Sequence, residues 1–295
     1  MTTSTLSNDA TKSGVAGAAR QARRDPMRWV VLAILALLLA FTLFPFFLAL
    51  INAVKASGEY AVGGPLALPH SFDLSAVAKF WTISDFGRKL VNSLVISLSV
   101  SVLGVVISLF NAYAIAIGKV PGSRVVMVIF LMGIMIPQES IVYPLYYMAK
   151  ATGLYDTQLV VIIIFAVLQS AFGTYLLSTV LNTFPREILE AAEMDGSNHW
   201  NTLWFVIVPV LRPALMVLGT FFFIWTWNEF LIPLVMLVSN DNQTVSVAMG
   251  LTRGQNMSDP VLQASAAFLG IIPTVIFFAL FQRTLTRGIA VGAVK

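Results

Sequence analysis

Thr183-Phe184-Pro185-Arg186-Glu187-Ile188-Leu189-Glu190-Ala191-Ala192-Glu193-Met194-Asp195-Gly196 separates two strongly apolar runs in a chain of 295 residues. Pro185 suits the entry to a helix, and Glu187 suits the positive end of the helix dipole. Gly196 suits the left-handed residue that ends one. The spacing therefore predicts a helix over about 185–196, roughly 15 Å long at 1.5 Å per residue. Positions 187–195 hold four of the fourteen acidic residues of the chain. A segment this short and this acidic cannot cross a bilayer, so it is expected on the membrane surface.

What surrounds that segment is membrane. The chain is 58% apolar and only 11% charged, against about 25% charged for an ordinary soluble domain. A soluble fold of this length could not cover so much apolar surface. A spanning helix needs roughly 20 apolar residues. Positions 29–51, 90–118, 157–185 and 260–282 are runs of 23, 29, 29 and 23 residues without a charge. Two further runs are interrupted. Residues 125–148 carry Pro137, Glu139 and Pro144, and residues 206–238 carry Pro209, Arg212, Pro213, Glu229 and Pro233. The expected fold is an all-α membrane protein of six transmembrane helices, at about 29–51, 90–118, 125–148, 158–182, 206–238 and 260–282. The third and fifth are kinked or broken. The acidic helix falls between the fourth and fifth.

Six spans place both termini on one side. That side receives twelve of the eighteen Lys and Arg, the other six: Lys55, Lys79, Arg88, Lys89, Lys150 and Arg253. The bias puts both termini and the acidic helix in the cytoplasm. Residues 1–28 then form a flexible cytoplasmic tail, 29–285 the six-helix domain and 286–295 a second tail. The first apolar run exceeds the 7–15 residues of a signal-peptide core, so it is expected to be retained. Residues 74–88 are expected as an interfacial helix with Trp81 at headgroup depth.

Composition excludes several chemistries. There is no cysteine, so disulfides and thiolate nucleophiles are out. His70 and His199 fall on opposite sides of the membrane, so no metal site is expected. Gly118-Lys119-Val120 lacks the pattern of a phosphate loop. No catalytic residue is expected, nor a nucleic-acid partner. If ATP supplies energy, another chain binds it.

Charges and aromatics inside the spans are the other features that can carry function. Gln138, Glu139 and Tyr143 in the third span, and Trp225, Trp227, Asn228 and Glu229 in the fifth, either line a substrate pathway or sit at the outer interface. Aromatic faces beside amide and carboxylate groups suit a sugar. Ser93, Ser97, Ser101, Gly104 and Ser108 share one face of the second span, where packing against a neighbour is the simpler explanation.

Glu190-Ala191-Ala192, then three residues, Gly196, nine residues and Val206-x-Val208-Pro209 resembles the cytoplasmic loop of ABC-importer permeases. That family's pattern is Glu-Ala-Ala, three residues, Gly, nine residues, Ile-x-Leu-Pro. Val206 and Val208 depart from it conservatively. Asn92-Ser93-Leu94, Met135-Ile136-Pro137, Tyr143-Pro144-Leu145-Tyr146, Gly153-Leu154-Tyr155-Asp156-Thr157, Trp227-Asn228-Glu229-Phe230-Leu231 and the ending Gly288-x3-Gly292-Ala293-Val294-Lys295 are similar to the second, maltose-type permease of carbohydrate importers. The resemblance runs from about residue 86 to the end.

It implies a prokaryotic cytoplasmic-membrane protein paired with a second, homologous permease. It also implies two ATPase subunits holding ATP and Mg, and an extracytoplasmic solute-binding protein. Glu187, Glu190, Ala191, Ala192, Glu193, Asp195 and Gly196 are then the helix seated in an ATPase. Asn240, Asp241, Asn242, Arg253, Gln255 and Asn256 are candidates for contact with the solute-binding protein. The alternative is an ion- or proton-coupled secondary transporter, which would need its own coupling charges and often an internal repeat.

Overall fold

The computed structural model describes residues 26–118, 120–255 and 259–293, with side chains over 27–118, 120–252 and 259–282. Among the described residues twelve α-helices follow in order, with a 3-10 turn at Asn240–Asn242 between the tenth and eleventh: α1 (Pro26–Ala53), α2 (Ser57–Gly63), α3 (Ser75–Ile83), α4 (Phe86–Ala116), α5 (Ser123–Met135), α6 (Gln138–Ala151), α7 (Gln158–Asn182), α8 (Arg186–Met194), α9 (His199–Asn228), α10 (Leu231–Met236), α11 (Val245–Gln255) and α12 (Pro260–Ala293). No strand occurs among the described residues. α1, α4, α7, α9 and α12 are each long and apolar enough to cross a bilayer, and α5 with α6 makes a sixth, bent pair.

The two interrupted spans break where backbone chemistry directs. α5 and α6 meet at 99°. Pro137 cannot donate to the preceding turn, and it forces Ile136 extended (ψ 121°). The fifth span differs from the expected 206–238. α9 begins at His199, runs through a π-helical turn over Thr202–Ile207 and stops at Asn228; the chain restarts at α10. Pro209 has no N–H for the carbonyl of Phe205, and the wider turn lies over that carbonyl. Pro213 and Pro144 sit inside continuous helices. The expected interfacial helix over 74–88 is α3 plus the start of α4, parted at Asp85, whose φ is +47°. The expected tail 286–295 is helical through Ala293, and the expected tail at 1–28 lies mostly outside the described residues.

α4 and α7 form the central pair, with α9 laid across both. The small-residue face of α4 makes this possible. Ser93, Ser97 and Ser108 are fully buried, and Ser101 Oγ donates to Gly219 O of α9 at 2.7 Å. The Phe222 ring of α9 enters the slot between Gly104 and Gly173. A Cβ built on Gly104 would lie 2.9 Å from that ring, and one on Gly173 2.2 Å from Ser108 Oγ. The face is a packing surface, as small residues are in membrane helices.

Two lysines are fully buried among the described residues, Lys89 of α4 and Lys55 just after α1. Lys55 is 1% exposed, and its Nζ donates to Asn52 Oδ1, Gly64 O and Ala67 O at 3.0, 3.1 and 2.6 Å. Three acceptors saturate an ammonium, so this lysine organises the turn after α1. By contrast, none of the most apolar stretch of α1 is buried.

Candidate functional site

α8 is shaped by its ends. Pro185 stands just outside the first turn (φ −59°, ψ 123°). Gly196 has φ +75°; its N–H donates to Glu193 O and that of Ser197 to Ala192 O, both at 3.0 Å. This is the paired closure that a left-handed glycine permits. α8 packs on the π-helical turn of α9. Ala192 is 7% exposed and Leu189 half-buried, whereas Ala191, Glu187, Glu190, Glu193, Asp195 and Gly196 are exposed. The helix therefore presents an acidic face outward and keeps one alanine for its own bundle. Met194 and Trp200 stand exposed beside it. A cavity of about 630 Å³ opens at its flank, lined among others by Tyr113, Asn182, Arg186, Glu190, Glu193 and His199.

A second cavity, about 330 Å³, lies where α6 starts and α9 ends. Gln138, Trp225, Asn228 and Glu229 line it together with Phe165 and Gln169 of α7. Trp225 is packed edge-on by Phe172 at 5.1 Å between ring centres. Glu229 Oε1 accepts from the N–H of Leu231 at 3.2 Å, which places its carboxylate at the break between α9 and α10. Gln169 is 7% exposed, and its Nε2 donates to Thr226 Oγ1 at 2.9 Å.

Three residues expected beside this group lie elsewhere. Trp227 is two positions from Trp225, about 200° around a helix, and faces a separate apolar cavity shared with Leu94 and Phe277. Its ring stacks on Phe223. Tyr143 is exposed and donates to the Tyr147 hydroxyl. Glu139 is exposed and does not line the cavity. Gln169 was not among the expected residues. Its signal was an amide in the middle of a 29-residue uncharged run.

The polar segment after α10 is tied down. Lys89 Nζ donates to the carbonyl of Asn240 and to its Oδ1. Arg88 pairs with Asp241 at 2.6 Å, and Asn92 Nδ2 donates to Asp241 O and Gln243 O. Asn242 Nδ2 donates to Asp156 O at 2.6 Å. Asp156, between α6 and α7 with φ +61°, accepts from the N–H groups of Val238 and Ser239, both at 2.9 Å, and from the Ser239 hydroxyl. Arg253 and Gln255 fall on α11 with side chains outside the described residues, as is all of Asn256.

Burial alone would raise the Asp156 carboxyl, but the Ser239 hydroxyl and N–H, with Asn242 and Val238, hold it below the usual carboxylate range. A depressed carboxyl adds stability above its unfolded pKa, near 4, and loses it as pH falls through the folded value. Asp156→Ala is expected to cost about 1–3 kcal/mol, read as a lower melting temperature of the purified protein. The gap to the wild type should be constant above about pH 5 and narrow below pH 4. Asp156→Asn, which keeps an acceptor and tolerates positive φ, should cost less. A gap that widens on acidification would contradict this.

Among the described residues no group of three or more His, Asp or Glu is placed to hold a metal. Residues 104–291 match the family described as binding-protein-dependent transport system inner membrane component. The chain is 31% identical over 265 residues to the inner membrane ABC transporter permease protein YcjP of Escherichia coli, covering 88% of this chain and 94% of that one. It is 24% identical over 281 residues to the diacetylchitobiose uptake system permease protein NgcG of Streptomyces coelicolor, covering 94% and 93%. Its fold is similar to a chain in the crystal structure of a bacterial ABC transporter involved in the import of the acidic polysaccharide alginate. There the TM-score is 0.71 at 22% identity, over 95% of this chain and 99% of that one. The six-part apolar bundle, the surface helix at its Glu-Ala-Ala sequence and a family match over most of the length together place this chain among the multi-pass inner-membrane components of binding-protein-dependent ABC transporters.

Proposed function

We propose that this chain is the permease through which an ATP-driven importer passes a sugar or oligosaccharide. The observation that carries the reading is α8, a short acidic helix outside the bundle but resting on the first turns of α9. α9 then runs about 40 Å, at 1.5 Å per residue, to the cavity holding Trp225, Asn228 and Glu229. A push on α8 is thereby delivered to the cavity wall by one packed helix. The distribution of Lys and Arg supports α8 and both termini in the cytoplasm. There α8 meets one of two ATPase subunits, which hold ATP and Mg. A second, homologous permease completes the cavity. The segment at Asn240–Asn242 stands at the opposite end, where a solute-binding protein delivers its load, and the uptake of diacetylchitobiose by one relative supports a saccharide. Arg253, Gln255 and Asn256 extend that contact. Alternating access follows when ATP-driven closure of the ATPases moves α8.

The complex is expected to co-purify with an ATPase through residues 185–203, and Gly196→Val should leave ATP hydrolysis running without transport. A bulky residue at φ +75° costs about 1–2 kcal/mol and alters the closure of α8. Transport that persists without any ATPase partner would return the chain to the secondary-transporter class.

A further inference from the structure

We infer that the turn after α1, residues 60–72, is a lipid anchor whose Leu66, Leu68 and Phe72 enter the headgroup layer of the bilayer at the C-terminal end of α1. The inference requires only that α1 span the membrane, and it is independent of what the permease carries.

The turn is apolar where it is exposed. Positions 60–72 hold no Lys, Arg, Asp or Glu. Val62, Leu66, Leu68 and Phe72 are 92%, 67%, 65% and 86% exposed. Single exposed apolar side chains are ordinary, but four large ones within eleven positions mark a surface that meets something other than water.

The polar contacts run the other way. Lys55 is buried beneath the turn, with its Nζ on Gly64 O and Ala67 O. Asn52 Nδ2 donates to Pro65 O at 3.0 Å, and the Asp73 N–H donates to Val54 O at 2.9 Å. The His70 N–H donates to Glu59 Oε1. A loop built for water keeps charge outside and apolar groups within. Here the ammonium takes the interior and the apolar groups face out.

The same bonds set the depth. The uncharged run of α1, 29–51, is 23 residues long, or about 35 Å at 1.5 Å per residue. The hydrocarbon core is about 30 Å thick, and each headgroup layer adds about 5–7 Å. Ile51 therefore stands at the edge of the hydrocarbon. Asn52, Val54 and Lys55, which hold the turn, follow it within about one helical turn. Gly64, Pro65, Ala67 and Asp73 are thereby pinned at headgroup depth. Phe47 and Leu50 are still exposed one turn below, so the turn extends the apolar surface of α1 sideways along the interface. Lipid is the occupant this geometry favours. It is present at that depth already, takes apolar side chains while the backbone stays among headgroups, and asks for no charge.

The chain has no cysteine, so single substitutions can carry a fluorophore. Leu66→Cys, Leu68→Cys and Phe72→Cys are labelled with NBD in the complete permease–ATPase complex, its partners made cysteine-free. Leu39→Cys, 59% exposed in the middle of α1, is the reference for the bilayer centre. The complexes enter nanodiscs of phosphatidylethanolamine and phosphatidylglycerol carrying a nitroxide on the headgroup or at carbon 12 of the acyl chain. At 66, 68 and 72 the headgroup nitroxide should quench at least threefold more than the acyl-chain one. Leu39 should show the reverse, and added solute-binding protein should change neither. The ratio compares two lipids on one labelled protein, so labelling yield cancels. Three positions are read separately, so one variant that fails to assemble leaves the other two. Quenching by neither lipid would put the turn in water or under another protein chain. Quenching that disappears with solute-binding protein would make the turn its docking site. Either result, or the absence of a headgroup preference, would overturn the anchor.

Discussion

Gly173→Leu is expected to eliminate folded protein from the membrane. A Cβ alone at this position would lie 2.2 Å from Ser108 Oγ and 2.9 Å from Phe222 Cζ. Both neighbours are fully buried, and Ser108 Oγ is hydrogen-bonded to Gly104 O at 2.6 Å. Neither can swing away without opening the junction of α4, α7 and α9. Overfilling a packed core by single methylenes costs about 1–3 kcal/mol, and Leu adds a whole side chain where a methyl already collides. Such a penalty approaches the total stability of an ordinary domain, about 5–15 kcal/mol. Gly173→Ala should be partly tolerated, with a clearly lowered melting temperature. Gly133 of α5 faces open space, so Gly133→Leu should leave melting unchanged. Equal melting temperatures for all three variants would show that the Phe222 slot does not hold the bundle together.

Phenylalanine at Ala191 and at Ala192 should produce opposite failures. The two alanines are neighbours in one motif, yet Ala191 is exposed and Ala192 is 7% exposed. Consecutive helix residues point about 100° apart. A large ring at Ala192 must enter the contact between α8 and the start of α9, with an overpacking cost of about 1–3 kcal/mol. Its first symptom should be a lower melting temperature. A ring at Ala191 meets only what docks from outside. Melting should not change, while ATPase co-purification and uptake fall at least tenfold. Melting curves and pull-downs on both variants separate the outcomes. If Ala191→Phe retained full ATPase binding and uptake, the exposed face of α8 would not be the docking face.

Much of this was legible along the chain because it depends on neighbours in sequence. Uncharged runs of 23 to 29 residues mark where water cannot follow the backbone. Pro137 locates the bend between α5 and α6, since a proline acts on the residues beside it. Pro185 and Gly196 locate α8 for the same reason, and the regular spacing of Ser93, Ser97 and Ser108 identifies a close-packed face. The helix break at Glu229–Phe230 was less visible than the prolines around it. Pro213 is absorbed inside α9, while the chain stops where the Glu229 carboxylate caps the restart at Leu231.

The partners reached across the bundle were not legible. Asn240 and Asp241 read as a polar outer loop. Only the fold brings Lys89, Arg88 and Asn92 from about 150 positions away, so a segment that looked free is held. Trp225 and Trp227 looked equivalent by composition, and rotation about the helix axis sends them to different cavities. Gln169 carries no local pattern at all; it matters because α7 crosses α9 where Thr226 answers one end of its amide. The sequence by itself determined the solvent, the spans, the bend and the short surface helix, since each follows from polarity and backbone chemistry within a few turns. The tertiary structure alone decided which side chains meet, because those distances depend on how helices far apart in sequence are rotated and packed.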